Sequence, residues 1–223
     1  MGSFAMMNSV KKAILWMIEK NKTGMKMVSL YRMWHHFEDV GWFKSRIAGL
    51  PIDKNGIPLP WLTYPAIYFL ERKLKPNMRV FEYGSGNSIL WWSERMTNVV
   101  SCEHNLVWYN TMKKKIPSNV EYIYCELVNG GEYSKVIKRY QNSFDIVVID
   151  GRDRVNCLKN SLGALIENGI IIVDNSERDA YREGFQYLLW NGFKRIDFQG
   201  FGPINTCCWC TSFFYRNDNC LEI

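Results

Sequence analysis

Residues 77–223 alternate between two kinds of hydrophobic pattern. Short runs that are apolar at almost every position are followed by longer segments whose apolar residues recur every three or four positions. The first pattern is typical of strands buried on both faces, and the second is typical of amphipathic helices. The clearest apolar runs are 144–150 and 170–174, because Ile and Val dominate both. The alternation predicts a series of strand–helix units.

The expected strands of these units lie at 79–83, 99–103, 120–125, 144–150 and 170–174. We expect the helix after the fourth strand to include Leu165 and Ile166 and to end at Asn168-Gly169. Right-handed crossovers make the strands of such units parallel. The last two runs, 193–198 and 211–215, have no helix between them, so they should pair as an antiparallel hairpin. The fold class is therefore α/β, a doubly wound, mostly parallel seven-stranded sheet that ends in an antiparallel β-hairpin.

Residues 1–76 lie outside this alternation. Their pattern predicts helices near 10–20 and 29–37 and a third from Pro65, with a turn-rich stretch at 49–60. The domain division is thus an N-terminal helical extension or lid at 1–76 and a Rossmann-like domain at 77–223. The extension carries a net charge of +7 and the rest of the chain −1. A basic extension leaves an acidic substrate, an anionic membrane, nucleic acid and a solvated helix face open.

Composition narrows the class of protein. The chain has 223 residues, of which 47% are hydrophobic, so a disordered or collagen-like chain is excluded. No apolar run reaches the roughly 18 residues of a membrane-spanning helix, and no signal peptide is recognised at the N-terminus. Seven cysteines, an odd number, fit a reducing compartment, and we expect a cytoplasmic protein. The cluster at 207–210 lacks a second ligand pair, so zinc is not favoured there.

Acidic and glycine residues follow the first two expected strands. The first strand runs into Glu82-Tyr83-Gly84-Ser85-Gly86-Asn87-Ser88, where two glycines let the backbone come close to a ligand and a helix begins. Glu103 ends the second strand and can accept both hydroxyls of a ribose. The alternative is a plain glycine turn with a solvated glutamate. The position of both groups at strand ends favours a nucleotide site.

The type of nucleotide follows from two side chains. A dinucleotide fingerprint places a third small residue where this chain has Ile89, which is too large for close packing of helix and strand. The carboxylate of Glu82 repels a pyrophosphate but attracts the cationic amino and sulfonium groups of S-adenosylmethionine. A nicotinamide-dependent oxidoreductase and a non-catalytic module that binds a nucleotide or nucleic acid stay open as alternatives.

In these features the sequence resembles the class I S-adenosylmethionine-dependent methyltransferases. The likeness covers roughly 77–216 in element order and includes Phe81 through Gly86, Glu103 and Asp150. It implies that the glycine loop contacts the methionine moiety, that Glu103 binds the ribose, and that the region of Glu126 lies near the adenine. The expected cofactor-binding residues are Glu82, Tyr83, Gly84, Ser85, Gly86, Asn87, Ser88, Glu103 and His104.

Two further strand ends carry polar groups. Asp150 follows the fourth strand, and Asp174-Asn175 follows the fifth. Their oxygens suit Mg²⁺, and the arrangement is similar to the metal site of the catechol O-methyltransferase group, although that group has a longer glycine loop. The alternative is that Asp174 and Asn175 only cap the next helix. Mg²⁺ held by Asp150, Asp174 and Asn175 is therefore an expectation to test.

The same rim supplies candidate catalytic residues. Asp150 is the best-placed base for an acceptor hydroxyl, and Arg152 and Arg154 are expected to hold a carboxylate or phosphate of the substrate or to form salt bridges at the helix entry. We name Asp150 and Arg152 as the catalytic residues. The expected activity is methyl transfer to a small or medium acceptor, a small molecule or a glycan- or lipid-type one, with oxygen favoured over nitrogen. Nucleic acid is disfavoured as the acceptor, and a homodimer is left open.

Overall fold

The computed structural model describes residues 12–223. Seven strands form one sheet in the order β3-β2-β1-β4-β5-β7-β6. The strands are β1 Arg79–Tyr83, β2 Asn98–Glu103, β3 Val120–Tyr124, β4 Phe144–Ile149, β5 Leu165–Val173, β6 Lys194–Gly200 and β7 Trp209–Tyr215. β1 to β5 pair in parallel, whereas β7 runs antiparallel to both β5 and β6. The doubly wound sheet and its closing hairpin are confirmed.

The helices fill the connections that the periodicity indicates. They are α1 Lys22–Asp39, α2 Trp42–Ala48, α3 Tyr64–Lys73, α4 Asn87–Ser93, α5 Leu106–Lys113, α6 Glu132–Lys135, α7 Arg154–Ser161 and α8 Arg182–Trp190. Asn105 caps α5 because its side chain accepts the backbone N–H of Trp108. Gly192, just after α8, has a φ of 81°, a conformation that ends the helix at little cost for glycine.

The central strands are apolar throughout because both faces of the sheet are covered. Val147 and Ile149 of β4 face one layer of the core, and Ile146 and Val148 face the other. All four side chains are at most 1% exposed. A strand buried on both faces gives no alternation of apolar and polar residues, which explains the continuous runs in the sequence.

One expectation about the elements was wrong, and one helix was not predicted. Leu165 and Ile166 belong to β5 and not to the preceding helix, because a register shift lets Leu165 pair with Phe144 at the start of β4. Helix α2 was not predicted. It lies between Gly41 and Gly49, both with positive φ, and its seven residues are too few for a clear periodicity. The first predicted helix is partly described: 12–18 is helical, while Val10 and Lys11 lie outside the described residues.

The residues before β1 are hydrogen-bonded to the edge of the sheet that carries the hairpin. The backbone N–H of Tyr64, at the start of α3, donates to the carbonyl of Phe201, and the hydroxyl of Thr63 donates to the carbonyl of Phe198. Trp42 of α2 donates through its indole to the carbonyl of Asn205. These bonds bring the loop 49–63 to the end of the sheet where the candidate site lies. Within residues 12–223, no helix combines the length and the apolar composition needed to cross a membrane.

Candidate functional site

The carboxyl ends of β1, β2, β4 and β5 surround one cavity of about 610 Å³. A parallel sheet places these ends at one rim, so the segments that follow the strands share its walls. A volume of this size is typical of sites for small ligands and cofactors. The lining residues are Trp61, Gly84, Ser85, Glu103, His104, Asn105, Trp108, Asp150, Gly151, Arg152, Arg154, Asp174, Asn175, Arg178, Tyr181 and Asn205.

The glycine loop between β1 and α4 forms one wall. Gly84 has a φ of 97°, and a Cβ there would lie 3.1 Å from the backbone nitrogen of Gly151, so both its conformation and its neighbour require glycine. Gly86 is extended, and a Cβ built there would meet no atom within 4 Å. The loop therefore offers an open backbone surface. A smaller cavity of about 220 Å³ continues past Gly86, Asn87 and Ser88 towards 49–51.

Glu103, the last residue of β2, is a buried acceptor beside the glycine loop. Its Oε1 accepts the backbone N–H groups of His104 and Asn105 at 2.8 and 2.7 Å, and its Oε2 accepts the hydroxyl of Ser85 at 2.5 Å. The Ser85 oxygen also lies 2.8 Å from the hydroxyl of Tyr122. Two backbone donors fix the carboxylate, and one rotatable hydroxyl covers its remaining oxygen.

His104 lies beside this carboxylate without a defined bond of its own. Its Nδ1 is 3.1 Å from Glu103 Oε1, yet it is a buried nitrogen that makes no hydrogen bond within the described part of the chain. The ring packs edge-on against Tyr133. An unpartnered buried nitrogen on a cavity wall is a group that a ligand can satisfy.

Glu82, the other acid of the glycine loop, does not line the cavity. It is 2% exposed, and its carboxylate accepts the hydroxyl of Ser88 at 2.8 Å and the indole N–H of Trp92 at 3.4 Å. Burial raises the pKa of Glu82 to about 8, and the negative charge of Asp150 adds to the rise. The expected direct contact between Glu82 and a cofactor therefore has no support in this arrangement, in which Glu82 anchors α4 beneath the loop.

This environment predicts a pH-dependent effect of the Glu82→Gln substitution on stability. Between the ordinary glutamate pKa and about 8, the folded chain keeps the Glu82 proton while the unfolded chain releases it. The wild type therefore loses stability as the pH rises through this window, by at most about 1.4 kcal/mol per pH unit, whereas glutamine has no proton to lose. We expect the stability of Glu82→Gln relative to the wild type to increase from pH 5 to pH 8, measured by urea unfolding.

The exposed Glu132→Gln variant is the control for removal of a surface carboxylate. A relative stability of Glu82→Gln that is constant or decreases over the same pH range would contradict the buried, protonated state of Glu82.

Tyr83 also differs from expectation. Its ring is fully buried in the core, and its hydroxyl donates to the carbonyl of Ser134 at 2.8 Å, so it does not reach the cavity. Glu126, placed near the adenine by the resemblance, is exposed and does not line the cavity. Asn87 lines the smaller cavity and donates to the carbonyl of Pro51. Of the predicted cofactor residues, the main cavity brings together Gly84, Ser85, Glu103 and His104.

Arg154 joins the ends of β4 and β5. Its side chain is 7% exposed, and all three of its nitrogens donate to protein oxygens. Nε donates to the carbonyl of Gly151, and Nη1 donates to the carbonyl of Asp174. Nη2 donates to the carbonyl and to Oδ1 of Asp150, and it lies 3.3 Å from Oδ1 of Asn175. The sequence left open whether Arg154 contacts the substrate or forms a salt bridge at the helix entry. It forms a salt bridge with Asp150 and is an interior cation that joins the two strand ends.

The predicted Mg²⁺ site does not fit this arrangement. Asp150 and Asn175 each give an oxygen to the Arg154 guanidinium, and a second cation beside it would be repelled. Asp174 uses Oδ1 to accept the indole N–H of Trp209 at 2.8 Å and the hydroxyl of Thr211 at 2.6 Å. Among the described residues, no group of three or more His, Cys, Asp or Glu side chains has a metal-binding arrangement. The structure does bring the three polar residues together, but around an arginine.

Asp150 is the acid of this group that remains open to the cavity. Its side chain is 27% exposed. Burial raises the pKa of Asp150 to about 6, while the charges of Arg154 and Arg178 oppose the rise. Burial raises the pKa of Asp174 to about 8, with a contribution from the charge of Asp150. Near neutral pH the pair thus carries its negative charge mainly on Asp150.

The sequence analysis did not place Trp108, Arg178, Tyr181 or Asn205 at the site. Trp108 donates its indole N–H to the carbonyl of Ser85 at 2.9 Å and so fixes the glycine loop. Trp61 lies between the two cavities and is 42% exposed. Arg178, Tyr181 and Asn205 complete the wall near β5. Of these residues only Trp108 gave a signal in the sequence, because it is a tryptophan close to the end of a strand. Tryptophans in such positions also pack into cores, so the signal does not indicate a site.

No model of a protein family matches the chain, and no curated protein sequence matches it. Solved structures do match. The precorrin-6y C5,15-methyltransferase from Geobacter metallireducens has a TM-score of 0.54 at 13% identity, over 68% of this chain and 87% of that one. A Streptococcus mutans protein in complex with SAH has a TM-score of 0.50 at 13% identity, over 69% and 99%. rRNA and tRNA methylases are also among the matches.

Spermidine synthase from Thermotoga maritima has a TM-score of 0.51 at 15% identity, over 70% of this chain. The chain spans 60% of the length of that synthase. At these identities the likeness defines the fold. The chain has the class I S-adenosylmethionine-dependent methyltransferase fold, as the order of its strands and the closing hairpin also indicate.

Proposed function

We propose that the chain is a methyltransferase that moves the methyl group of S-adenosylmethionine to a hydroxyl of a small or medium acceptor. The observation that carries the proposal is that Glu103 and the open glycine loop lie side by side in the wall of one cavity. A fixed carboxylate and an exposed backbone surface are what an adenosine joined to an amino acid requires. The matched methyltransferase structures support the same cofactor.

The chain offers a place for the ribose at Glu103. A ribose hydroxyl can replace the Ser85 hydroxyl at Oε2, because Ser85 keeps a second partner in Tyr122. The backbone donors at Oε1 hold the carboxylate in place during this exchange. Trp61 and Trp108 provide flat apolar surfaces on the cavity wall for the remaining parts of the ligand.

Methyl transfer needs an in-line nucleophile, so positioning supplies much of the rate. The acceptor oxygen forms a bond to the methyl carbon as the carbon–sulfur bond breaks, and the electron pair of that bond stays on the sulfur. Asp150 takes the proton of the hydroxyl and releases it to solvent. Arg154 holds Oδ1 of Asp150, which leaves the other oxygen for the acceptor.

The first test is binding. Calorimetric titration with S-adenosylhomocysteine should give a dissociation constant in the micromolar range, and titration with NADH should give no heat of binding. Incubation with S-adenosylmethionine and a panel of hydroxylated compounds should then release S-adenosylhomocysteine. Binding of NADH in place of S-adenosylhomocysteine would overturn the proposal in favour of an oxidoreductase.

Asp150→Asn is expected to lower the rate of methyl transfer by about 10²–10⁴-fold, the usual contribution of a general base. Asparagine keeps the hydrogen bond from Arg154 but cannot take the proton. In the wild type, the rate should fall as the pH drops through about 6, because Asp150 must be ionised to act. The measurement is kcat against pH with the best acceptor of the panel.

The affinity of Asp150→Asn for S-adenosylhomocysteine is expected to stay within about twofold of the wild type, since Glu103 and the glycine loop are unchanged. The same pH profile in the variant as in the wild type would exclude Asp150 as the base.

A further inference from the structure

Each carboxylate that lines the cavity is already bonded within the protein. Glu103 has three donors, and Asp174 has Trp209 and Thr211. Asp150 has Arg154, whose Nε, Nη1 and Nη2 all donate to protein oxygens of Gly151, Asp174 and Asp150. The charged groups of the cavity that remain to be assigned are therefore cations.

Arg152 is the first of these cations. It follows Asp150-Gly151 at the end of β4, it is exposed, and it lines the cavity. Its guanidinium makes no hydrogen bond or ion pair with any residue in the described range 12–223. An arginine at a cavity wall with all of its N–H groups free is suited to a planar anion.

Arg178 is the second. It follows β5, it is exposed, and it lines the same cavity. Its bonds are loose: Nη1 lies 3.4 Å from the hydroxyl of Tyr181, and Nε lies 3.8 Å from Glu177. Its charge lowers the pKa of Asp150, so its field reaches the proposed reaction centre.

From these contacts we infer that the acceptor carries an anionic group, a carboxylate or a phosphate, which Arg152 and Arg178 hold beside Asp150. The inference rests on the proposed function, because it describes the second substrate of that reaction. Two arginines that follow the neighbouring strands β4 and β5 place the anion on the side of the cavity where Asp150 lies, so the acceptor hydroxyl can approach Asp150. The anionic group also offsets the repulsion that these two arginines would exert on a sulfonium ligand.

The test uses the full chain saturated with S-adenosylhomocysteine. Inorganic phosphate or acetate is titrated at ionic strength kept constant with sodium chloride, and the melting temperature is followed. We expect phosphate or acetate to raise the melting temperature, and the concentration for half of this effect to increase at least about tenfold in the double variant Arg152→Gln/Arg178→Gln. An effect of phosphate alone identifies a phosphorylated acceptor, and an effect of acetate identifies a carboxylic acid.

Arg72→Gln is the matched control, because Arg72 is an exposed arginine that does not line the cavity. It should leave the anion titration unchanged. The double variant should bind S-adenosylhomocysteine as the wild type does, which shows that it is folded. An equal anion response in the double variant and the wild type would overturn the inference and leave the proposed function intact. Failure of the wild type to bind S-adenosylhomocysteine would overturn the proposed function itself.

A panel of paired acceptors gives a second readout. Hydroxylated carboxylic acids are compared with their methyl esters, and sugar phosphates with the free sugars. The charged member of a pair should be methylated with the lower KM, and the difference should disappear in the double variant. Equal KM values for charged and uncharged members in the wild type would contradict an anionic acceptor.

Discussion

Replacing Glu103 by glutamine is expected to weaken the binding of S-adenosylhomocysteine by about 100-fold. The carboxylate has one oxygen fixed by two backbone N–H groups and the other covered by Ser85. A ribose hydroxyl needs an acceptor at the position of Oε2, which Ser85 covers. In the glutamine variant the amide nitrogen occupies that position and is a donor. Losing one or two hydrogen bonds to a charged group costs about 3 kcal/mol, which corresponds to that change in affinity. Calorimetric titration measures the effect.

Glutamine should preserve the fold around Glu103. Its carbonyl can still accept the N–H groups of His104 and Asn105, and its amide can donate to Ser85, so the melting temperature should change little. Glu126→Gln is the matched control, because Glu126 is exposed and does not line the cavity. It should bind S-adenosylhomocysteine normally. If instead Glu126→Gln weakens binding and Glu103→Gln does not, the ligand is bound elsewhere.

Replacing Arg154 by methionine is expected to lower the free energy of unfolding by about 3–5 kcal/mol. The substitution leaves Asp150 without its cation and three backbone carbonyls without their donor, at a position where the Arg154 side chain is only 7% exposed. For a chain of this size, the loss corresponds to a fall in melting temperature of about 10 °C. The methyl-transfer rate should fall as well, because Asp150 loses the bond that orients it. Urea unfolding and kcat are the measurements.

Two further variants separate charge from geometry. Arg154→Lys restores the charge but not the planar fork, so its stability should lie between those of the wild type and Arg154→Met. The double variant Arg154→Met/Asp150→Asn should be more stable than additivity predicts, since it removes the unpaired buried charge.

Wild-type activity should be unchanged in EDTA, because Arg154 supplies the cation between Asp150 and Asn175. Loss of activity in EDTA that Mg²⁺ restores would contradict the role given to Arg154.

The contrast between Asn105 and Arg154 shows what a sequence can and cannot reveal. Asn105 caps α5 by accepting the N–H of a residue only three positions away, so the sequence pattern of this cap is local. For Arg154 the sequence left open a contact with the substrate and a salt bridge at the helix entry. Its side chain bonds Asp174 and Asn175, which lie in a different strand–helix unit, and nothing in the local pattern indicates such a contact.

The two acids Glu82 and Asp174 make the same point. Both end a strand, and both were predicted to face a ligand. In the structure Glu82 accepts from Ser88 and Trp92, and Asp174 accepts from Thr211, 37 residues further along the chain. A strand end brings a side chain to the rim of the sheet. Whether that side chain faces the cavity depends on which donors pack beside it.

The sequence by itself determined the order of strands and helices, the closing hairpin and the rim at which a ligand can bind, because these follow from apolar periodicity and from the handedness of crossovers. Only the tertiary structure decided which polar groups of that rim bond to other parts of the protein and which remain open to the cavity. Glu103, Asp150 and Arg152 stay open to the cavity, whereas Glu82 and Arg154 are bonded to interior partners. The physical reason is that a buried charge must find its partners in space, and those partners come from distant parts of the chain.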